Sequence, residues 1–270
     1  MEFEKWQALG NDYVIVEERA LPWELTPERV RALCAPHTGI GSDGVLLLSP
    51  PDERGFVARL RIFNPDGSQA ELSGNGAREA ALYLRRRGWT DSDTFSIQTV
   101  AGEIRPRVTS PTACALDMGR ARLGEDGEIE AGGRVWRYAH LTIGNPQTPI
   151  HVEDEATLRG LDLATLGPPI ERDARFPGRT NVSFWTELGQ GAIRARIFER
   201  GVGETQASGT GACGAAIAHV VRGGDTPVRV VLDGGELEVD VGEDLHVELS
   251  GWAVPVFAAR LAEELVEALR

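Results

Sequence analysis

Two short turns carry the residues best suited to chemistry in this 270-residue chain: Ser73-Gly74-Asn75-Gly76 and, 135 residues further on, Ser208-Gly209-Thr210-Gly211. Each follows a strand-like run, Arg61-Ile62-Phe63-Asn64 or Arg196-Ile197-Phe198-Glu199, and each opens an apolar stretch that closes at Gly88 or Gly223. The pattern predicts a strand, a loop, a serine-capped turn and a helix in both halves. A helix N-terminus offers unpaired N–H groups and about half a positive charge, which suits a carboxylate. Glycines after the serine admit a ligand close to the backbone. Two such termini are expected to face each other, hold one carboxylate and flank the carbon beside it. That geometry removes a proton from one face of an α-carbon and returns one to the other. Either serine alone reads as an ordinary N-cap; the repeat at a constant offset is what points to chemistry. Neither turn has the lysine of a phosphate-binding P-loop, and the dinucleotide fingerprint is incomplete.

The elements that position these turns repeat as well. Gly10-Asn11-Asp12 reads as a hairpin-like turn between two short strands, and Leu141-Thr142-Ile143-Gly144-Asn145 answers it in the second half. Thr26-Pro27-Glu28 opens a helix, with threonine at the N-cap and proline at the first helical position. Hairpins are predicted over 94–108 and 228–241, and short helical turns over 155–167. Phe257–Arg270 has Ala258, Leu261, Leu265 and Ala268 at helical spacing and predicts an amphipathic terminal helix. The order and spacing of the matches imply an internal duplication.

Composition narrows the function classes. A net charge of −13 argues against a nucleic-acid binder. Lys5 is the only lysine and sits in what reads as an edge-like first strand, which argues against the Schiff base of pyridoxal phosphate. Cys34, Cys114 and Cys213 form no disulfide framework, and the Cys34/His37 pair has no second pair to complete a zinc site, so no metal is expected. The N-terminus has no leader pattern and there is no 18-residue apolar run, so a cytoplasmic protein without membrane contact is expected.

Six segments together resemble the diaminopimelate epimerase family over nearly the whole chain. They are Gly10-Asn11-Asp12, Ile62-Phe63-Asn64-x-Asp66-Gly67, Gly74-Asn75-Gly76-Ala77-Arg78, Gly144-Asn145-Pro146, Glu199-Arg200-Gly201-x-Gly203-Glu204-Thr205 and Gly209-Thr210-Gly211. The resemblance implies an α/β (α+β) fold of two pseudo-symmetric mixed-sheet domains, each wrapped around a central helix. The domains are expected at 1–118 and 119–256, with the terminal helix 257–270 packing on the first. It implies cofactor-free epimerisation of an amino acid, LL- to meso-diaminopimelate, in lysine and cell-wall precursor synthesis. Substrate contacts are expected from Asn11, Asn64, Gly74, Asn75, Asn145, Asn181, Glu199, Arg200, Gly209 and Thr210. The partner is a small amino-acid substrate, and a homodimer is left open.

The departures lie at the centre. The family places a cysteine before each Gly-x-Gly turn and a histidine after Gly-Asn-Pro; this chain has Ser73, Ser208 and Gln147. A helix N-terminus lowers a thiol pKa from about 8.5 to roughly 3.5–7.5, whereas a serine hydroxyl needs an adjacent base. Glutamine cannot take a proton, which leaves Glu199 as the candidate base beside Ser73, Ser208 and Gln147 in the catalytic set. Cys213 is expected to lie inside the helix, pointing away from the site. Three readings stand: an epimerase of the diaminopimelate type, a different small-carboxylate isomerase using Glu199, and a non-catalytic binding relic or a chain whose thiols were deliberately replaced.

Overall fold

The two serine turns open the two longest helices, Gly74–Arg86 and Gly209–Val221, of 13 residues each. The computed structural model describes residues 1–270 and divides them into two compact units. Met1–Leu116 with Gly251–Arg270 form the first, and Asp117–Ser250 the second. The chain leaves the first unit within the strand Ala113–Arg120 and returns within His246–Trp252.

In the first unit the strands Val254–Arg260, Glu2–Ala8, Asn11–Glu17, Val45–Ser49, Ala58–Phe63, Ile97–Thr99 and Gly102–Ile104 lie side by side in that order. The sheet is mixed. Asn11–Glu17 runs parallel to Val45–Ser49, and Ala58–Phe63 parallel to Ile97–Thr99. A parallel pair needs a crossover, and the Gly74–Arg86 helix supplies it for the second pair. Every residue of that helix from Asn75 to Leu84 is buried, so the helix is central to the unit.

The second unit repeats the plan. Asn145–His151 is parallel to Asn181–Gly189, and Ala192–Glu199 is parallel to Val228–Leu232 across the Gly209–Val221 helix. That helix is buried from Gly211 to His219 and packs on six of the strands around it. Asp154 and Asp162 cap two short helices, Glu155–Gly160 and Leu163–Glu171, through bonds from the N–H groups of Thr157 and Thr165.

Two expectations are corrected. The first strand is interior, because Glu2–Ala8 pairs with Asn11–Glu17 on one side and Val254–Arg260 on the other. The segment 257–270 is not one helix: Val254–Arg260 is a strand, and only Glu263–Ala268 is helical. Val254, Val256 and Phe257 favour extended backbone, and Phe257 pairs with Lys5 in a ladder that a helix would forfeit. The remaining turn keeps the apolar spacing, with Leu265, Val266 and Leu269 packed on the core of the first unit.

One residue inside the Gly74–Arg86 helix is costly to the fold. Glu79 is fully buried and neither carboxyl oxygen has a hydrogen-bond partner. Burial pushes its carboxyl well above the ordinary 4.5, opposed by Arg78 and reinforced by Asp12 and Asp43. The folded state therefore keeps a proton that the unfolded chain releases above about 4.5, and stability falls as pH rises from there toward the raised folded value. Glu79→Leu is expected to stabilise the protein by about 1–3 kcal/mol near neutral pH. The gain should shrink toward about pH 4, as read from urea midpoints at several pH values. A gain that is independent of pH, or a loss, would contradict the assignment of Glu79 as an unpaired buried acid.

Candidate functional site

In the first unit Ser73 is the N-cap of its helix. Its backbone is extended and its Oγ accepts from the Gly76 N–H at 3.1 Å, while Tyr13 Oη donates to the same Oγ at 3.3 Å. Asn75, one residue after Gly74, is buried; its Nδ2 donates to Asn11 Oδ1 at 3.2 Å, and Arg78 Nη2 donates to its Oδ1 at 2.5 Å. Asn11 Nδ2 in turn donates to Asp43 Oδ2 at 2.8 Å, which also accepts from the Asp12 N–H at 3.0 Å. Asp12 forms an ion pair with Lys5, whose Nζ also donates to the Gly41 carbonyl at 2.6 Å. The one lysine is thus a brace of the Asn11 turn. Asn64 stands apart from this network, at the end of Ala58–Phe63, with Nδ2 donating to Ser68 Oγ at 3.0 Å.

In the second unit three adjacent strands bring site residues to one end. Gln147 stands opposite Asn181 in the parallel ladder, and Val182 opposite Phe198 in the antiparallel one, so Glu199 follows at the same end. The Asn181 side chain accepts from the Arg200 N–H at 2.8 Å, and Arg200 Nη1 donates to the Gly178 carbonyl at 2.7 Å. Asn145 accepts from Gln147 Nε2 at 2.5 Å. Ser208 is buried, caps the helix by accepting from the Gly211 N–H at 3.2 Å, and hydrogen bonds to the Glu199 carboxylate. Burial raises the Glu199 carboxyl above the ordinary 4.5, and the Ser208 bond opposes that only in part. Gly209 and Thr210 form the first turn beyond this cap, both half-buried. Cys213 is fully buried in the same helix.

The glycines have a second use. A Cβ at Gly211 would lie 2.7 Å from the Ile197 side chain, so this glycine lets the helix approach its own sheet. Sequence reasoning also missed three positions. Tyr13 reads as an ordinary strand residue and Asp43 as part of a glycine turn, and Glu171 carries no signal at all. Yet Glu171 is buried, and its Oε1 accepts from the Gly201 N–H at 2.9 Å, tying down the Glu199-Arg200-Gly201 turn. The recoverable signal was thin: Tyr13 follows Gly10-Asn11-Asp12 directly, while nothing in the spacing marks Glu171.

The model of one protein family, diaminopimelate epimerase, matches residues 3–124 and 140–254. The chain belongs to the diaminopimelate epimerase family. It is an isomerase of the epimerase class. Diaminopimelate epimerase of Synechococcus sp. (strain JA-3-3Ab) is 40% identical, over 97% of this chain and 99% of that protein. The diaminopimelate epimerase of Magnetococcus marinus is 41% identical, over 96% of each. Among solved structures, a phenazine biosynthesis protein of the PhzF family from Bacillus anthracis superposes with a TM-score of 0.70 at 18% identity, covering 97% of this chain and 99% of that one. That likeness is one of fold: two sheet-rich halves with few helices. Within the diaminopimelate epimerase family, the geometry at Ser73, Gln147 and Ser208 shows what hydroxyl and amide groups do at these places. Both serines serve as helix caps, and the glutamine bonds a neighbouring asparagine.

Proposed function

We propose that the chain is a cofactor-independent epimerase acting on the α-carbon of diaminopimelate, converting the LL to the meso form. Family membership supports the reaction class, and one observation carries the present chemistry: the half-buried Glu199 carboxylate bonded to the buried Ser208 at the start of a central helix. A carboxylate whose pKa is raised by burial is a stronger base than one in water. Glu199 takes the α-proton, and the hydroxyl of Ser208 orients it. The carbanion that forms is held by N–H groups at the helix N-terminus, at Gly209 and Thr210, and by the amides of Asn145 and Asn181, with Arg200 beside them. Epimerisation needs a second proton-handling group. Within the first unit the Ser73 and Tyr13 hydroxyls stand 3.3 Å apart, and Asn11, Asn64, Gly74 and Asn75 are its proposed ligand contacts. Gln147 has no titratable group and takes no proton-transfer role.

No step here uses a pyridine ring or a metal. Hydroxyls in place of thiols make the enzyme slow rather than inert. The test is interconversion of LL- and meso-diaminopimelate by the purified protein without added cofactor, followed by chiral chromatography. Accumulation of meso product above the uncatalysed rate is the expected result, and an unchanged LL pool despite measurable binding would overturn it. Separately, the reaction suits a cytoplasmic enzyme, which fractionation checks. No helix of the structure is long and apolar enough to cross a membrane.

A further inference from the structure

We propose that Gln147 is a positioning residue: it turns the Asn145 carboxamide so that its nitrogen faces the ligand, making this end of the second unit a donor site for a carboxylate. The proposal rests on the reading of Asn145 as a ligand contact.

Gln147 is fully buried on the strand Asn145–His151. Its side chain lies against the Gly209–Val221 helix at Gly214, where an added Cβ would come 3.0 Å from Gln147 Cβ and 3.1 Å from Cγ. The missing side chain at Gly214 makes room for the glutamine, and the helix holds it in one conformation. From there Nε2 donates to Asn145 Oδ1 at 2.5 Å. An amide nitrogen can only donate and an amide oxygen can only accept. Asn145 Oδ1 takes that bond, which fixes which way round the amide lies and leaves the two N–H donors of this half-exposed residue for a ligand. Two such donors suit a ligand carboxylate better than an ammonium, which has only donors of its own.

The other end of the glutamine strengthens the argument. Gln147 Oε1 is buried with no hydrogen-bond partner. A buried acceptor left unpaired weakens a fold, so Gln147 is not at this place for stability. An apolar residue of similar size would suit the interior better. What the amide contributes is the direction of one hydrogen bond, and that direction does not change with pH, because neither partner titrates.

Three substitutions separate a positioning role from a structural one, with affinity for diaminopimelate measured by calorimetry and stability by thermal unfolding. Gln147→Leu removes the donor together with the orphan acceptor. It is expected to weaken binding by about tenfold while the thermal midpoint holds or rises. Gln147→Glu keeps the shape but supplies an acceptor, which turns the Asn145 amide over and points its oxygen at the ligand; binding should fall by about 100-fold. Gln147→His restores an N–H donor and should recover most of the affinity lost in the leucine variant. A leucine variant that loses stability and affinity together, or a glutamate variant that binds like the parent, would overturn the proposal. If the parent itself does not bind diaminopimelate, the functional reading fails, and a ligand-free measurement still decides the inference. In the amide NMR spectrum the Gln147 side-chain protons should exchange slowly with solvent and become fast in Asn145→Ala. Fast exchange in the parent would mean that the bond, and with it the positioning role, is absent.

Discussion

Ser73→Cys combined with Ser208→Cys is expected to raise α-proton exchange on diaminopimelate by about 10²–10⁴-fold over the parent. Both serine oxygens already receive a backbone N–H, from Gly76 at 3.1 Å and from Gly211 at 3.2 Å. A sulfur at either place inherits that donor and the positive end of a 13-residue helix, the two features that favour a thiolate. A serine hydroxyl gains little from them because its pKa lies too far above neutrality. Tyr13 stands beside one position and Glu199 beside the other, so each new thiol has a group with which to share a proton. Either single change should do much less for inversion, since one face of the carbon still lacks a competent acid. One thiol alone should exchange the proton on its own face without inverting the centre. A double variant that binds diaminopimelate and exchanges no faster than the parent would place the limiting defect elsewhere in the site.

The second large effect belongs to the parent chain. Glu199→Gln should lower exchange by about 10²–10⁴-fold, the usual contribution of a general base, with a much smaller change in affinity. The direction of the pH dependence follows from the half-buried carboxyl, whose pKa is raised by desolvation. The base works only when ionised, so exchange should rise with pH through a midpoint above the ordinary 4.5 of a glutamate and then level off. The glutamine variant should have no such limb. If Glu199→Gln keeps both its rate and its pH profile, the carboxylate is a ligand contact alone.

Much of the frame is legible before any coordinates. Serine followed by glycine predicts the start of both central helices, and Gly88 and Gly223, both with positive φ, mark where they stop. Thr26 caps its helix through the Arg29 N–H, as its type and its place before Pro27 suggest. These are local signals, carried by residues within one turn of each other. What escaped depends on partners far apart in sequence. Glu2–Ala8 looks like an edge until Val254–Arg260, at the other end of the chain, pairs with it. Tyr13 and Ser73 meet across 60 residues, and Glu171 reaches Gly201 across 30. Glu79 has the composition of a solvent-facing helix residue and is buried because its helix is enclosed over ten consecutive positions, Asn75 to Leu84. The second glycine of the second serine turn was read as clearance for a ligand; Gly211 turns out to be clearance for Ile197.

The central claim is that this chain moves an α-proton of diaminopimelate with its own side chains, hydroxyls and a carboxylate. The most direct measurement is proton NMR of LL-diaminopimelate incubated with the purified parent protein in heavy water, with a panel of other amino acids in parallel. The account predicts loss of the α-proton signal of diaminopimelate, appearance of deuterated meso isomer, and no change when pyridoxal phosphate is added or a carbonyl reagent is present. Full retention of the α-proton while diaminopimelate is bound, or exchange confined to a different acid, would contradict it.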